Sequence, residues 1–411
     1  MYNLHLAPEQ LEIRDTVRDF VAGKIKPLAL RADRIEAREK PLLRDALDQA
    51  SQLGLRTLAL AEDIGGTGAD RLTCCIVAEE IAVAAPDVAS VLAQTSMLAH
   101  LMFDSWMAPS QRDRFLPQFL ADDRYHLALA RHEPESDDAL GIDYHRPKTI
   151  EAPKTIATRS GDWLILNGHK DRVANAPLAK LFAVEAGIGS NGVTMLLLPR
   201  ETSGLHIKDS DIEDSDQGPR WYHGARGELI LENCRVPAEN LLDSDPLAGD
   251  ALGDSTLNQA INLGIGRAAY EAALDYAQLR VQGGRRLIEH QAIGTKLAEM
   301  AVRLDVARTA IWRAAWAADH PAAFADRSLP ELPVASIAGV FSSEAIYRAA
   351  KDAAECFGAM GVMRDMPLQK YVHDALVCLH AERGNGEAKL RIAEALADYR
   401  RPAIMPARAA E

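Results

Sequence analysis

Apolar positions along the chain fall into three textures. Near the start, Ile13, Val17, Phe20, Val21 and Ile25 recur three and four residues apart with charged residues between them, the stripe of a helix that buries one face. Pro27 is expected to close that run. A second helix is expected from about Leu42 to Leu53, stopped by Gly54. "LALAEDIGGTGADRLT" follows as a Gly-rich loop, and helix resumes through "CCIVAEEIAVAA". The loop lacks the Lys of a P-loop and no clear strand alternation precedes it, so it is taken as a structural turn, not a phosphate cradle.

From about Tyr125 the runs shorten. "DWLILNGHK", "LFAVEA", "GVTMLLLP" and "GELILENCRVP" are rich in branched or apolar residues and are separated by Gly, Asn, Pro and Asp, the pattern of hairpins. The acidic "DSDIEDSDQGP" between two of them is expected as an exposed loop; it lacks the spacing and terminal Glu of an EF-hand. After Pro237 helical periodicity returns. Ile293, Leu297, Met300, Leu304 and Ile311 form one face, and "VASIAGVFSSEAIYRAAKDAAECFG" is a long helix ended by Gly358. A last helix follows "HAERGNGEAKL", with Leu390 and Ala393 to Leu396 on its inner side. Long helices with short connections predict a helix bundle. The expected architecture is mainly α with a central β-domain, divided as 1–124 helical, 125–240 β and 241–411 helical.

Composition narrows the function. The 411 residues allow two or three cores, and 48% hydrophobic with 26% charged residues is ordinary for a globular protein. A net charge of −13 argues against general nucleic-acid binding, which needs a basic face. An anionic small molecule remains compatible, because one Arg or helix N-terminus can hold it. Cys74, Cys75, Cys234, Cys356 and Cys378 make no CxxC and no regular spacing, so they are expected as reduced, mostly buried small hydrophobes without a metal site. The opening "MYNLHLAPEQLEIRD" has neither the basic nor the apolar region of a secretory leader, and no apolar run approaches the ~20 residues of a membrane span. A cytoplasmic location is the expectation.

Together, "LAPEQLEIRDTVRDFV", "GLRTLALAEDIGGTGAD", "GELILENCRVPAENLL", "LGIGRAAYEAALDYAQLRVQGGRRLIEHQAI" and "CFGAMG" followed by "YVHDALVCLHAE" resemble the acyl-CoA dehydrogenase family, in order and over nearly the whole chain. The resemblance implies an N-terminal helical domain, a β-barrel-like middle domain and a C-terminal four-helix bundle. It also implies FAD clamped between β-domain and bundle, an acyl-CoA substrate and a homotetramer or dimer. An electron-transfer flavoprotein is the implied acceptor, and acyl-CoA or lipid metabolism the setting. The usual reaction removes an α-proton while a β-hydride passes to the flavin, giving a 2-enoyl-CoA. Such an α-proton is weakly acidic, so a placed base and donors aimed at the enolate oxygen are both needed.

Carried onto this sequence, the family's "D-A-x-x-x-x-I-Y-E-G-T" frame, starting at Asp374 and Ala375, makes Glu382 the base. The plain alternative is a loop carboxylate favoured by the N-terminal end of the last helix. Asp254 stands near the position some members use for the base on the first bundle helix; its other role is a helix N-cap. Arg383, where the family has Gly, is assigned to the substrate, or it pairs with Glu382 or a cofactor phosphate. In "RHEPESDD", Glu133, Pro134, Ser136 and Asp137 match the flavin loop, with His132 in place of the usual Thr as a ring contact or a surface histidine. In "DRVAN", Arg172 and Ala174 replace the usual Trp and Thr or Ser near the flavin. Arg172 then stabilises reduced flavin, binds an anionic group of the substrate, or is a solvated edge residue. Arg280 and Gly284 match the "Arg-x-x-Phe-Gly" that meets a partner subunit's FAD pyrophosphate, with Gly283 replacing the Phe. Glu355 and Gly358 match a second cofactor motif in which Gln is usual, and a Glu near phosphate is unfavourable. These departures leave three rival readings: a partner subunit of a heteromeric dehydrogenase, oxidase or monooxygenase chemistry on the same fold, and enoyl-CoA reduction.

Overall fold

The computed structural model describes residues 5–31, 42–134, 144–145, 148–149, 153–189, 192–210, 220–242, 255–363, 365–380, 384–399 and 403–404. Helix α1 (Pro8–Phe20) buries Val17, as its stripe predicts. It does not stop at Pro27. A wider, π-type turn, Val21–Ile25, carries the path into the one-turn α2 (Lys26–Ala29). The proline falls in the first turn of α2, where its missing N–H costs no helical bond. Helix α3 (Arg44–Gln52) ends ahead of Gly54, at φ 81°. Next come α4 (Arg71–Ala82), α5 (Pro86–Ala99) and α6 (Pro109–Ala121).

The Gly-rich loop before α4 folds onto itself. The amides of Gly66, Gly68 and Ala69 donate to the carbonyls of Ala61, Leu60 and Leu58 at 3.0, 2.8 and 2.9 Å. A Cβ on Gly66 would lie 2.0 Å from the Leu60 oxygen. Its donors are used internally, which suits a turn and not a phosphate cradle.

The middle strands are β1 (His126–Ala130), β2 (Lys148–Thr149), β3 (Ile156–Ser160), β4 (Trp163–Ala174), β5 (Ala179–Ile188), β6 (Gly192–Pro199), β7 (Leu205–Asp209) and β8 (Arg226–Pro237). β4 and β8 form the long antiparallel ladder, with β7 outside β8 and β3 on the other side of β4. β5 runs parallel to β1 and β3 and antiparallel to β6. Both faces of β5 are covered: Phe182 and Val184 join the inter-strand core, while Leu181 and Ala183 pack with Phe103 and Phe119 of the helical part. That double burial explains its continuous apolar run. Residues 211–219 of the acidic stretch lie outside the described residues.

The C-terminal part comprises α7 (Thr256–Leu279), the hairpin β9 (Val281–Gln282) and β10 (Arg285–Arg286), and then α8 (Gln291–Asp319), α9 (Ala322–Ala325), α10 (Val334–Cys356), α11 (Leu368–His380) and α12 (Gly384–Leu396). β11 (Ala403–Ile404) pairs with β2. Helices α7, α8, α10 and α11 pack together. Leu297, Met300, Leu304 and Ile311 are buried as their spacing predicts, with Ile293 packed beside them. Gly266 admits Ile346 and Leu304, which a Cβ there would meet at 2.7 and 2.9 Å. α12 departs from expectation: Leu396 is 70% exposed, and Glu394 is the buried residue. Its carboxylate accepts the His145 amide at 2.8 Å, so a polar contact takes the inner position. All five cysteines are free, four buried and Cys378 partly so. Among the described residues no helix is long and apolar enough to cross a membrane.

Candidate active site

The end of β4 is where the ladder breaks. Register shifts between Lys170 and Val173, and Arg172 takes φ 51° in the resulting bulge. Bulges re-aim side chains and gather beside active sites. Pairing resumes with Val173 opposite Gly227 and Ala174 opposite Arg226. Asn175, also left-handed at φ 64°, sends its amide to the Val91 carbonyl (3.2 Å), Thr95 Oγ1 (3.2 Å) and the Leu127 carbonyl (3.3 Å). These bonds fasten the sheet's end to α5.

His132 lies beside this bulge, its Nδ1 paired with the Asp171 carboxylate while the Asp171 amide donates to the His132 carbonyl at 3.2 Å. One imidazole nitrogen is therefore engaged within the protein. Glu133 anchors the same loop. It accepts the Lys154 and Thr155 amides at 2.7 and 2.9 Å and the fully buried Lys170 Nζ at 2.7 Å. Burial pushes its pKa up, but the Lys170 and Thr155 hydrogen bonds outweigh it and hold the carboxyl down at about 2.

A second cluster was not singled out by the sequence. Residues 220–225, just before β8, bridge α5 to α11. The Gly224 amide donates to Asp87 at 2.8 Å, and Ser90 Oγ donates to the His223 carbonyl at 3.2 Å. Asp87 also faces Arg220 at 3.6 Å and His223 Nδ1 at 3.7 Å. On the other side His223 Nε2 lies 3.3 Å from the Asp374 carbonyl, and His373 Nε2 3.2 Å from the Arg220 carbonyl. Burial opposes charge on His223, but the Cys378 sulfur, Asp87 and Asp374 outweigh it and hold its pKa well above 6.5. Asp87 is held well below the usual carboxylate range: burial acts upward, and His223 and Arg220 overcome it. The only signal in the sequence was the density of aromatic and basic residues in "RWYHGAR".

A third group sits at the bundle's corner. Arg280 follows α7, and Gly284 (φ 81°) lies in the β9–β10 hairpin. Tyr276 stacks on Phe357 at 4.1 Å, drawing the end of α7 to the end of α10, where Glu355 and Gly358 (φ 58°) lie. Arg280 is exposed, and a Cβ on either Gly284 or Gly358 would meet nothing within 4 Å. Glu355 pairs with Lys296 at 2.5 Å and Lys351 at 3.7 Å. Both lysines offset part of its charge. An open arginine beside accessible backbone fits a dinucleotide's pyrophosphate. Ser136, Asp254, Glu382 and Arg383 lie outside the described residues.

Comparison with known proteins bears on this arrangement. The model of the acyl-CoA dehydrogenase N-terminal domain matches residues 7–123, and that of the acyl-CoA dehydrogenase C-terminal domain matches 248–396. A probable acyl-CoA dehydrogenase, YngJ, of Bacillus subtilis is 29% identical over 405 residues, covering 95% of this chain and 97% of that protein. The mitochondrial isobutyryl-CoA dehydrogenase of Dictyostelium discoideum is 27% identical over 401 residues, covering 95% and 90%. The solved butyryl-CoA dehydrogenase of Megasphaera elsdenii superposes with a TM-score of 0.78 at 24% identity, covering 96% of this chain and all of that one; this likeness speaks to the fold. The two domain models span well over half of the sequence. The chain belongs to the acyl-CoA dehydrogenase family, a class of flavin-dependent oxidoreductases.

Proposed function

We propose that this protein is an FAD-dependent dehydrogenase that takes an α-proton and a β-hydride from an acyl-CoA thioester and leaves a 2-enoyl-CoA. Its units are a helical domain over 1–124, a β-domain over 125–240 and a bundle over 241–411. The observation that carries the proposal is the bridge 220–225. It holds α11, the helix leading to Glu382, against the strand ends bearing Arg172 and Ala174. That bridge supports a reading in which the base and the flavin contacts share one seam.

FAD, when bound, accepts the hydride. The protein's part is to orient, exclude water and move the proton. Glu382, eight residues after Asp374, takes the α-proton; a carboxylate in a dry pocket has its pKa raised toward neutrality and becomes a better base. Arg383 beside it contacts the substrate. Asp254, two residues ahead of α7 in the sequence, is the lesser candidate for the base; the N-cap of α7 is Ser255. His132, Ser136, Arg172 and Ala174 line the flavin's ring side, and Arg280, Gly284, Glu355 and Gly358 serve the pyrophosphate of a neighbouring subunit's FAD. Leu279 and Val281, which flank Arg280, are 81% and 58% exposed, as suits an apolar subunit contact in a homodimer or homotetramer. An electron-transfer flavoprotein is the acceptor that follows from this chemistry.

The test is the visible spectrum of the purified protein during anaerobic addition of an acyl-CoA panel. The expected result is a flavin spectrum bleached by at least one saturated acyl-CoA. A flavin that no acyl-CoA bleaches, or none at all at full occupancy of the fold, overturns the proposal.

A further inference from the structure

The head of β8 carries a cation without a carboxylate of its own. Arg226 is half-buried, its guanidinium 4.5 Å from the centre of the Tyr222 ring, and Arg220 lies 4.7 Å from the same ring. Burial lowers the pKa of Arg226 by stripping water from the ion; Tyr222 and Asp171 oppose this, while Arg172 and Arg220 add repulsion. The nearby acids have other partners: Asp171 holds the His132 ring and lies 3.9 Å from Arg172, and Asp87 takes the Gly224 amide and faces Arg220 and His223. The Arg226 guanidinium makes no ion pair or hydrogen bond with a described residue, and none of its nitrogens is sealed from solvent. Its donors are therefore reachable from solvent at the strand end where Arg226 pairs with Ala174.

A guanidinium cannot escape by losing its proton. A partly desolvated, mutually repelling set of arginines is stabilised by an anion supplied from outside. In a site for acyl-CoA, the reading on which this inference rests, the substrate brings oxyanions in two places: a carboxylate on the acyl group, or the phosphates of CoA. We propose that Arg226, assisted by Arg172, is an oxyanion subsite for the bound thioester, with an acyl-chain carboxylate as its ligand. The planar fork of one guanidinium matches a carboxylate bidentately. Its place on the seam of strand ends and α11 favours the reacting, acyl end of the substrate over the nucleotide end. The enzyme then selects dicarboxylic acyl-CoAs.

The experiment measures equilibrium binding to the FAD-loaded protein by calorimetry, using three thioethers that cannot lose an activated α-proton. They are an ω-carboxyalkyl-CoA, the n-alkyl-CoA of equal length, and the ω-carboxyalkyl pantetheine that lacks the CoA phosphates. Arg226→Gln should weaken both carboxylate ligands by about tenfold or more and the alkyl ligand by about twofold or less. Arg226→Lys, which keeps the charge but not the fork, should fall between. Equal weakening of the two CoA ligands with pantetheine binding unchanged assigns the subsite to a CoA phosphate and overturns the carboxylate. Unchanged binding of all three in a variant with wild-type FAD content and circular dichroism overturns the subsite itself. Failure of the wild type to bind either CoA ligand sinks the acyl-CoA reading instead.

Discussion

His223 joins three stretches distant in sequence: Asp87 on α5, its own loop, and Asp374 with Cys378 on α11. Its pKa is raised on folding, so the folded protein holds a proton that the unfolded chain releases near 6.5. The linked stability is complete below that value and is lost as pH climbs through the folded pKa. Urea unfolding followed from neutral to alkaline pH should show wild type losing stability that His223→Gln, already lacking it, does not lose. Parallel pH profiles for the two proteins would contradict the assignment. Lys170 and Glu133 make the complementary case. The Glu133 carboxyl is depressed to about 2, so its contribution is present above its unfolded pKa near 4.5 and disappears as pH falls toward 2. Lys170→Met leaves that carboxylate buried without its cation and should cost about 3–5 kcal/mol in urea unfolding at neutral pH. Adding Glu133→Gln should restore part of the loss.

At the scale of elements, legibility followed the solvent. α1 and α8 each have one wet face, so their apolar periodicity marked them directly. In α4 every residue after Arg71 is buried, and no polar face remains to reveal a period; the Gly-rich loop located it instead. That loop is held by close backbone approach. Gly66→Ala should destabilise the protein by about 1–3 kcal/mol in thermal or urea unfolding, because the added carbon must displace the Leu60 backbone. Unaltered stability would mean that the loop relaxes freely. On α12 only Leu396 departs from the expected inner face, and the buried Glu394 accepts a backbone amide, at His145, far away in sequence. A backbone donor leaves no mark in a hydropathy pattern. The bulge at Arg172 is equally invisible in the sequence: the family resemblance singles out the residue, but only the register break between Lys170 and Val173 gives its left-handed backbone.

Across the whole molecule, the N-terminal helices are tied to the bundle by charge as well as apolar packing. Glu79 and Glu80 on α4 are buried and face Arg267 on α7 at 2.8 and 2.5 Å, Arg308 on α8 at 2.7 Å and Arg18 on α1 at 2.7 Å. Arg267→Met removes the shared partner and should cost about 3–5 kcal/mol, read by urea unfolding; a loss below about 1 kcal/mol would place it with exposed pairs. The order of helical, β and helical regions was plain in the sequence because each has its own period. The bridge at 220–225 was not, since its meaning lies in contacts with residues more than a hundred positions away. The site inherits that division. Glu382 is legible as a frame counted from Asp374, whereas the cations around Tyr222 emerge only when strands and helices meet.

The central claim is that Glu382 removes the α-proton in a flavin site. Its most direct test is anaerobic titration of Glu382→Gln with the acyl-CoA that bleaches the wild type most completely. The variant should retain FAD at wild-type stoichiometry and should not bleach. Bleaching at the wild-type rate would contradict the claim.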